Sequence, residues 1–161
     1  MTQSLRPTRH AIRTLTVLAA FLDTLIVLSA NAQPAEPSDF VAIVHPSNQV
    51  ASLSTADMRD LFLANQKKWS GGLAVHPILP ESRSIAIEHL LKHILLMNSE
   101  ADLSMHYMAA IFQQKIREPP KSGSHKTSMI VVGRNPGAIA FVRRSNASGQ
   151  NSIRIVEIDG L

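Results

Sequence analysis

Apolar residues fall along the chain in blocks whose spacing predicts strands and helices in turn. Phe40–Val44 is an uninterrupted apolar run, which predicts a strand buried on both faces. The capping pattern Ser-Thr-Ala-Asp begins at Ser54, and apolar residues follow it at helical spacing. We therefore expect a helix from Ser54 to about Ala64, after the first strand and its turn.

The rest of the chain repeats this alternation. Further strands are predicted over 74–79, 138–142 and 153–158, and further helices from about 84, from about 99 and over about 126–132. Loops rich in Pro, Gly and Ser separate these segments. Strands interleaved with helices predict an α/β layer with a mostly parallel sheet.

The N-terminal residues have the pattern of a secretory signal peptide. Three arginines precede a mainly apolar run over 15–28, and Ala30-Asn31-Ala32 supplies the small residues of a cleavage site. We therefore expect three segments: a cleaved signal peptide (1–32), a flexible lead-in (33–39) and a folded domain (40–161). The alternative is an uncleaved anchor, although a spanning helix needs roughly 18 or more apolar residues and Asp23 interrupts this run.

Charge and cysteine content exclude several functions. The leader's three Arg and one Asp supply +2 of the formal net charge of +4, so the mature part would carry about +2. Lys67-Lys68 and Arg143-Arg144 are isolated pairs, and we expect no nucleic-acid binding because no basic stripe is present. The absence of Cys excludes disulfides, thiol nucleophiles and cysteine-ligated metals.

Two loops at predicted strand ends carry the candidate ligand-binding residues. Ser82, Arg83 and Ser84 lie between a strand end and a helix start, where free N–H groups, hydroxyls and a guanidinium attract an anion. Ser47 and Asn48 follow the first strand, at the end of an α/β strand where ligands commonly bind. The alternative is structural in both loops, with Ser84 as a helix N-cap and Ser47-Asn48 as part of a turn.

His89 and His93 are the one candidate for a metal site. Their spacing of four residues puts both on one helix face, but the motif HLLKH lacks the Glu of HExxH. The neighbouring Glu88 and Lys92 favour a solvated face instead. No nucleophile elbow and no pair of carboxylates placed for acid–base work can be found. We therefore expect no catalytic residue, no metal and no cofactor.

Four blocks in a fixed order resemble phosphate ABC-transporter substrate-binding proteins of the type II periplasmic binding fold. They are VAIVHPSNQVASLSTADMRDLF, KKW, HPILPES and RNPGAIAFV. The resemblance is closest to short, stand-alone relatives, and implies a single three-layer α/β lobe with a mostly parallel or mixed sheet flanked by helices. Residues 81–85 correspond to the family's anion loop, an Arg followed by Gly-Ser-Gly-Thr, but lack the glycines that let a backbone approach an anion closely.

The resemblance implies an exported, non-enzymatic binding domain in the periplasm. Its ligand would be phosphate or a similar small anion at Ser82–Ser84, its partner an ABC permease, and Arg83→Ala should abolish binding. A single lobe could rebuild a two-sided cleft by forming an oligomer. The alternative is an envelope accessory module that binds another protein and no small ligand. A metal enzyme at His89 and His93 is a third, less favoured alternative.

Overall fold

The computed structural model describes residues 39–161. The predicted signal peptide and nearly all of the predicted lead-in lie outside these residues. The described strands are β1 Phe40–Val44, β2 Ser52–Ser54, β3 His76–Pro80, β4 Lys121–Gly123, β5 Ala138–Arg143 and β6 Arg154–Asp159. The described helices are α1 Thr55–Phe62, α2 Ile85–His89 with a π-helical continuation Leu90–Leu95, α3 Glu100–Phe112, α4 His125–Arg134 and α5 Arg144–Ala147. Over the span 39–161, no helix combines the length and the apolar character needed to cross a bilayer.

The six strands form one mixed sheet in the order β2-β6-β1-β5-β3-β4. The pairs β2–β6, β5–β3 and β3–β4 are parallel, and β1 is antiparallel to both of its neighbours, β5 and β6. Five strands therefore run one way and β1 runs the other way through the middle of the sheet. The predicted mostly parallel or mixed sheet is confirmed.

Helices cover both faces of this sheet, which confirms the three-layer arrangement. On one face, Ala42 and Val44 of β1 pack in a core with residues of α1, α2 and α3. On the other face, Val41 and Ile43 pack with Val132 of α4 and with residues of β5. All five residues of β1 are buried, as its uninterrupted apolar run predicts.

Serine side chains begin the four longer helical segments. Ser54 forms a complete capping box with Asp57, as predicted. Ser84, Ser99 and Ser124 each accept a hydrogen bond from a backbone N–H of the first turn that follows. These caps fix where α1, α2, α3 and α4 start, and so fix which backbone groups their N-termini present.

Three short elements were not predicted. β2 and β4 are three-residue edge strands with only one buried residue between them, and α5 is a four-residue helix inside a predicted loop. The two edge strands form by parallel pairing to β6 and β3 rather than by burial of an apolar run. The last strand also begins at Arg154, one residue later than the predicted start.

Candidate functional site

Strand direction brings several helix N-termini to one edge of the sheet. We call this the carboxyl edge, because β2, β3, β4, β5 and β6 all end there. The pairs Pro80↔Gly123 and Phe40↔Arg143 place the ends of β3, β4 and β5 beside the start of β1. Since α2 and α4 start directly after β3 and β4, their N-termini lie at this same edge.

A cleft of about 300 Å³ opens at the carboxyl edge, between the starts of α2 and α4. We call it the carboxyl-edge cleft. Phe40 and Phe141 of the sheet form the apolar wall of the cleft, and their ring centroids are 5.2 Å apart. Ser128 of α4, which is 2% exposed, lines the cleft as a buried polar residue. The cleft therefore joins an apolar wall to polar groups.

Two of the helices that border the cleft present free first-turn amides to it. Ser84 Oγ accepts from Ile87 N at 3.2 Å, and Ser124 Oγ accepts from Thr127 N at 3.3 Å. These caps use the third amide of each helix, whereas the first two amides of a helix have no acceptor within it. The positive ends of the two helix dipoles thus point toward one space, an arrangement that favours an anion.

The cleft is lined by both basic and acidic side chains. Arg143 lines it with its guanidinium carbon 5.5 Å from the centroid of the Phe40 ring, and His125 adds a second nitrogen donor. Glu81 also lines the cleft and contributes a carboxylate. The site therefore offers backbone donors, one permanent cation, one carboxylate, and the hydroxyl and amide groups of Ser128, Ser145 and Asn146.

The side chains of the predicted loop Ser82–Ser84 do not face one site in the structure. Ser84 lines the carboxyl-edge cleft, whereas Ser82 lines a separate groove beside α3. Arg83 has φ +61° and is not among the residues that line either of them. Of the three predicted side chains, only that of Ser84 lies at this cleft.

An internal carboxylate already occupies the α3 side of that loop. The backbone N–H of Arg83 donates to Glu100 Oε1 at 2.9 Å. This bond, together with a hydrogen bond from the Ser82 side chain, lowers the pKa of Glu100 from its ordinary value. The donors on this side of the loop are therefore directed at a carboxylate of the chain itself.

Ser47 and Asn48 lie at the opposite edge of the sheet. β1 is antiparallel to its neighbours, so its C-terminal end at Val44 pairs with Arg154 at the start of β6. Ser47 Oγ lies 2.7 Å from His45 Nδ1, and Asn48 Oδ1 accepts from Val50 N at 3.1 Å. The two predicted sets of binding residues are therefore not brought together.

The rings of His89 and His93 lie against each other, tilted by 32°, next to the cleft wall. Their ring centroids are 4.3 Å apart, and the His89 ring stacks on Phe40 at 4.4 Å. Burial, followed by the nearby charges of His93 and Lys92, lowers the pKa of His89, while Asp39 opposes this shift. Over residues 39–161, no group of three or more His, Cys, Asp or Glu side chains is placed to hold a metal ion.

Arg143 and His125 were not among the predicted site residues, although the sequence carries a signal for each. Arg143 is the last residue of a buried strand, and His125 directly follows a serine N-cap. Their relevance depends on β4 and β5 ending at the same edge as β3. That relation is set by the order of strands in the sheet rather than by any local motif.

Comparison with known proteins gives matches in structure but not in sequence. No family profile and no curated protein matches the chain. A protein from Clostridium perfringens, described as a phosphate ABC transporter substrate-binding protein and solved with bound phosphate, matches with a TM-score of 0.58 and 15% identity. An ABC-type phosphate transport receptor from Vibrio cholerae and PstS from Borrelia burgdorferi also match with TM-scores of 0.58, at 11% and 9% identity.

These matches are extensive on this chain but partial on the others. They cover 76% of this chain and 46 to 47% of the three solved proteins, so the chain spans about half of their length. At such low identity the agreement concerns the fold. The resemblance stated from the sequence is therefore confirmed at that level: the described domain folds like part of the phosphate ABC-transporter substrate-binding proteins.

Proposed function

We propose that this chain is an exported, non-enzymatic solute-binding domain that holds phosphate, or a similar small oxyanion, in the carboxyl-edge cleft. The observation that carries the proposal is the convergence of two serine-capped helix N-termini, those of α2 and α4, on one cleft lined by Arg143. The fold shared with a substrate-binding protein solved with bound phosphate and with a phosphate transport receptor supports it.

The binding energy would come mainly from backbone groups. The first-turn amides of Ile85, Ala86, His125 and Lys126 would donate to the oxygens of the anion, and the helix dipoles would add an attraction of about 0.3–1 kcal/mol at each terminus. Arg143 would contribute a charge-assisted hydrogen bond, which is stronger than a neutral one. Arg143 is exposed, and its guanidinium lies over the Phe40 ring at the wall of the cleft.

Glu81 would make the site selective for a protonated anion. A carboxylate only accepts hydrogen bonds, so it can face an oxyanion favourably only if that anion carries a proton. Phosphate at neutral pH retains a proton, whereas sulfate does not. We therefore expect phosphate to bind more tightly than sulfate, and Glu81→Gln to reduce the difference.

Isothermal titration of the purified chain with phosphate tests the site. Arg143→Ala is expected to weaken binding at least about tenfold, consistent with the loss of a charge-assisted hydrogen bond. Arg134→Ala is the matched control, since Arg134 is an exposed arginine in the last turn of α4, at the far end of that helix from the cleft. Arg83→Ala tests the loop expected from the sequence, and in this proposal it leaves binding unchanged.

Two results would overturn this assignment. Unchanged phosphate binding by Arg143→Ala together with its loss in Arg83→Ala would return the site to the Ser82–Ser84 loop. A flat isotherm for the unmodified chain, with phosphate and with sulfate, would favour the alternative of an envelope module that binds another protein instead of a small ligand.

The proposed cellular context is the periplasm, with residues 1–32 removed as a signal peptide and an ABC permease as a partner. The pattern of the leader and the fold shared with ABC-transporter binding proteins support this context. N-terminal sequencing of the protein from a periplasmic fraction tests it. A first residue of Gln33 is expected, and recovery of the intact chain from the membrane fraction would contradict it.

A further inference from the structure

The outer face of α3 carries an apolar stripe that the rest of residues 39–161 leaves uncovered. Ala101, Met105, Met108 and Phe112 follow one another at spacings of four, three and four residues, so they lie along one side of the helix. Met105 is 62% exposed, Met108 70% and Phe112 90%. We call these four residues the α3 seam. Their spacing is that of the a and d positions of a coiled coil.

The inner face of α3 is packed against the core and hydrogen-bonded to the C-terminal end of α1. Leu103, Tyr107 and Ala110 are buried in the core. The Tyr107 hydroxyl donates to the Phe62 carbonyl oxygen at 2.7 Å, and His106 Nε2 lies 3.0 Å from the Leu63 carbonyl oxygen. These contacts hold the helix in one rotation, so the α3 seam faces away from the core that residues 39–161 form.

We propose that the α3 seam pairs with the α3 seam of a second copy of this chain, with the two helices antiparallel. In this register Phe112 of one copy packs over Ala101 of the other, and Met105 packs against Met108. The small Ala101 leaves room for the large Phe112, and each contact occurs twice, as a twofold interface requires. Antiparallel helices also place their dipoles in the favourable orientation.

Charge along the segment selects the antiparallel direction. Glu100 and Asp102 lie in the first turn of α3, and the exposed Lys115, Arg117 and Glu118, with a net charge of +1, follow its last turn. An antiparallel pair places the basic end of one copy beside the acidic first turn of the other. A parallel pair would place like charges together at both ends, which costs free energy.

The area of the seam predicts a weak dimer. Its three large side chains expose on the order of 400 Å² per copy, taking about 200 Å² for each free side chain, or roughly 800 Å² per dimer. Specific interfaces bury about 1,200 Å² or more in total, so the flanking residues must supply the rest. We therefore expect reversible association at micromolar or higher concentration. This proposal is independent of anion binding, because no seam residue lines the carboxyl-edge cleft.

Sedimentation equilibrium of the purified chain tests the pairing. A monomer–dimer equilibrium is expected, and Met108→Glu should raise its dissociation constant at least tenfold while the melting temperature stays within a few degrees. Ile130→Glu is the matched control, because Ile130 is 56% exposed on α4, outside the seam. A chain that stays monomeric at high concentration, or a dimer that Met108→Glu leaves intact, would overturn the proposal.

Disulfide trapping tests the direction, and the chain suits it because it contains no cysteine. A mixture of Met105→Cys and Met108→Cys chains should cross-link faster than either variant alone, while Ile130→Cys should cross-link slowly. Faster trapping of Met108→Cys with itself would contradict the proposed pairing, in which Met108 faces Met105. Equal slow rates for all variants would show that the seam is not an interface.

Discussion

Gly137 is the glycine at which the structure leaves least room for a side chain. A Cβ atom at this position would lie 2.0 Å from the carbonyl oxygen of Ala74. The Gly137 carbonyl oxygen accepts hydrogen bonds from His76 N at 2.9 Å and from Trp69 Nε1 at 3.0 Å. This close approach ties the segment before β3 to the start of β5, and so helps to align the two strands whose other ends form the cleft.

Gly137→Ala is therefore expected to destabilise the chain by about 3 kcal/mol, because the backbone must move to relieve the overlap. Urea unfolding at neutral pH measures the change. Gly71→Ala is the control, since a Cβ there meets no atom within 4 Å. Equal free energies of unfolding for the two variants would show that the close approach at Gly137 is not required.

The site shows how far residue types alone can be interpreted. Ser84 was recognised both as a donor at a helix start and as an N-cap, and its hydroxyl serves as the N-cap. The sequence predicted a small anion at Ser82–Ser84, and in the structure the Arg83 N–H donates to a carboxylate of the chain itself. The sequence could not reveal that Glu100, 17 residues away, would supply that anion. Such a contact depends on how α3 packs against the sheet, and the sequence pattern around Ser82 and Arg83 does not encode that packing.

Individual elements were predictable where an apolar run or a cap marks them. β1 and α1 have the expected bounds to within about two residues, because a continuous apolar run and a capping box define them locally. β2, β4 and α5 lack both signals. The antiparallel direction of β1 relative to its neighbours is also not encoded in its own sequence. This direction separates Ser47 and Asn48 from the carboxyl edge.

Three carboxylates at helix and strand ends have lowered pKa values, which makes the stability of the fold depend on pH. The hydrogen bonds from Ser54 lower the pKa of Asp57 in the α1 capping box, and the Arg83 backbone N–H lowers that of Glu100 at the start of α3. A hydrogen bond from Arg144 lowers the pKa of Glu157, with which it forms an ion pair at 2.6 Å. All three carboxylates are ionised more readily in the folded chain than in an unfolded one.

Acidification should therefore reduce stability. A carboxylate with a depressed pKa stabilises the folded state above its unfolded value, and that contribution is lost as the pH falls through the folded value. The ordinary values are 4.5 for the two glutamates and 3.8 for Asp57, so the loss should begin below about pH 5. Urea unfolding between pH 7 and pH 3 measures it.

Asp57→Asn provides the control for this pH dependence. The variant should lose about 0.5 kcal/mol at pH 7, a small value because the pair is exposed to solvent. It should also show a shallower decline in stability on acidification, because one of the three titrating groups has been removed. A decline as steep as that of the unmodified chain would mean that Asp57 contributes nothing to it.

At the scale of the whole molecule, strand direction explains where a ligand site can form. Five strands end at the carboxyl edge, and the α2 and α4 N-termini that follow two of them meet at a cleft lined by Arg143 and His125. The solved phosphate-binding proteins share this fold over about half of their length. In the described domain the cleft opens to solvent, which limits how completely an anion can be desolvated there.

Amide chemical shifts of the isotope-labelled chain, recorded by NMR during a phosphate titration, test the central claim most directly. The account predicts saturable shifts concentrated at the first turns of α2 and α4, namely at Ile85, Ala86, His125 and Lys126, with a weaker response to sulfate. Shifts confined to Ser47-Asn48 or to Ser82-Arg83, or no saturable shift at millimolar phosphate, would contradict it.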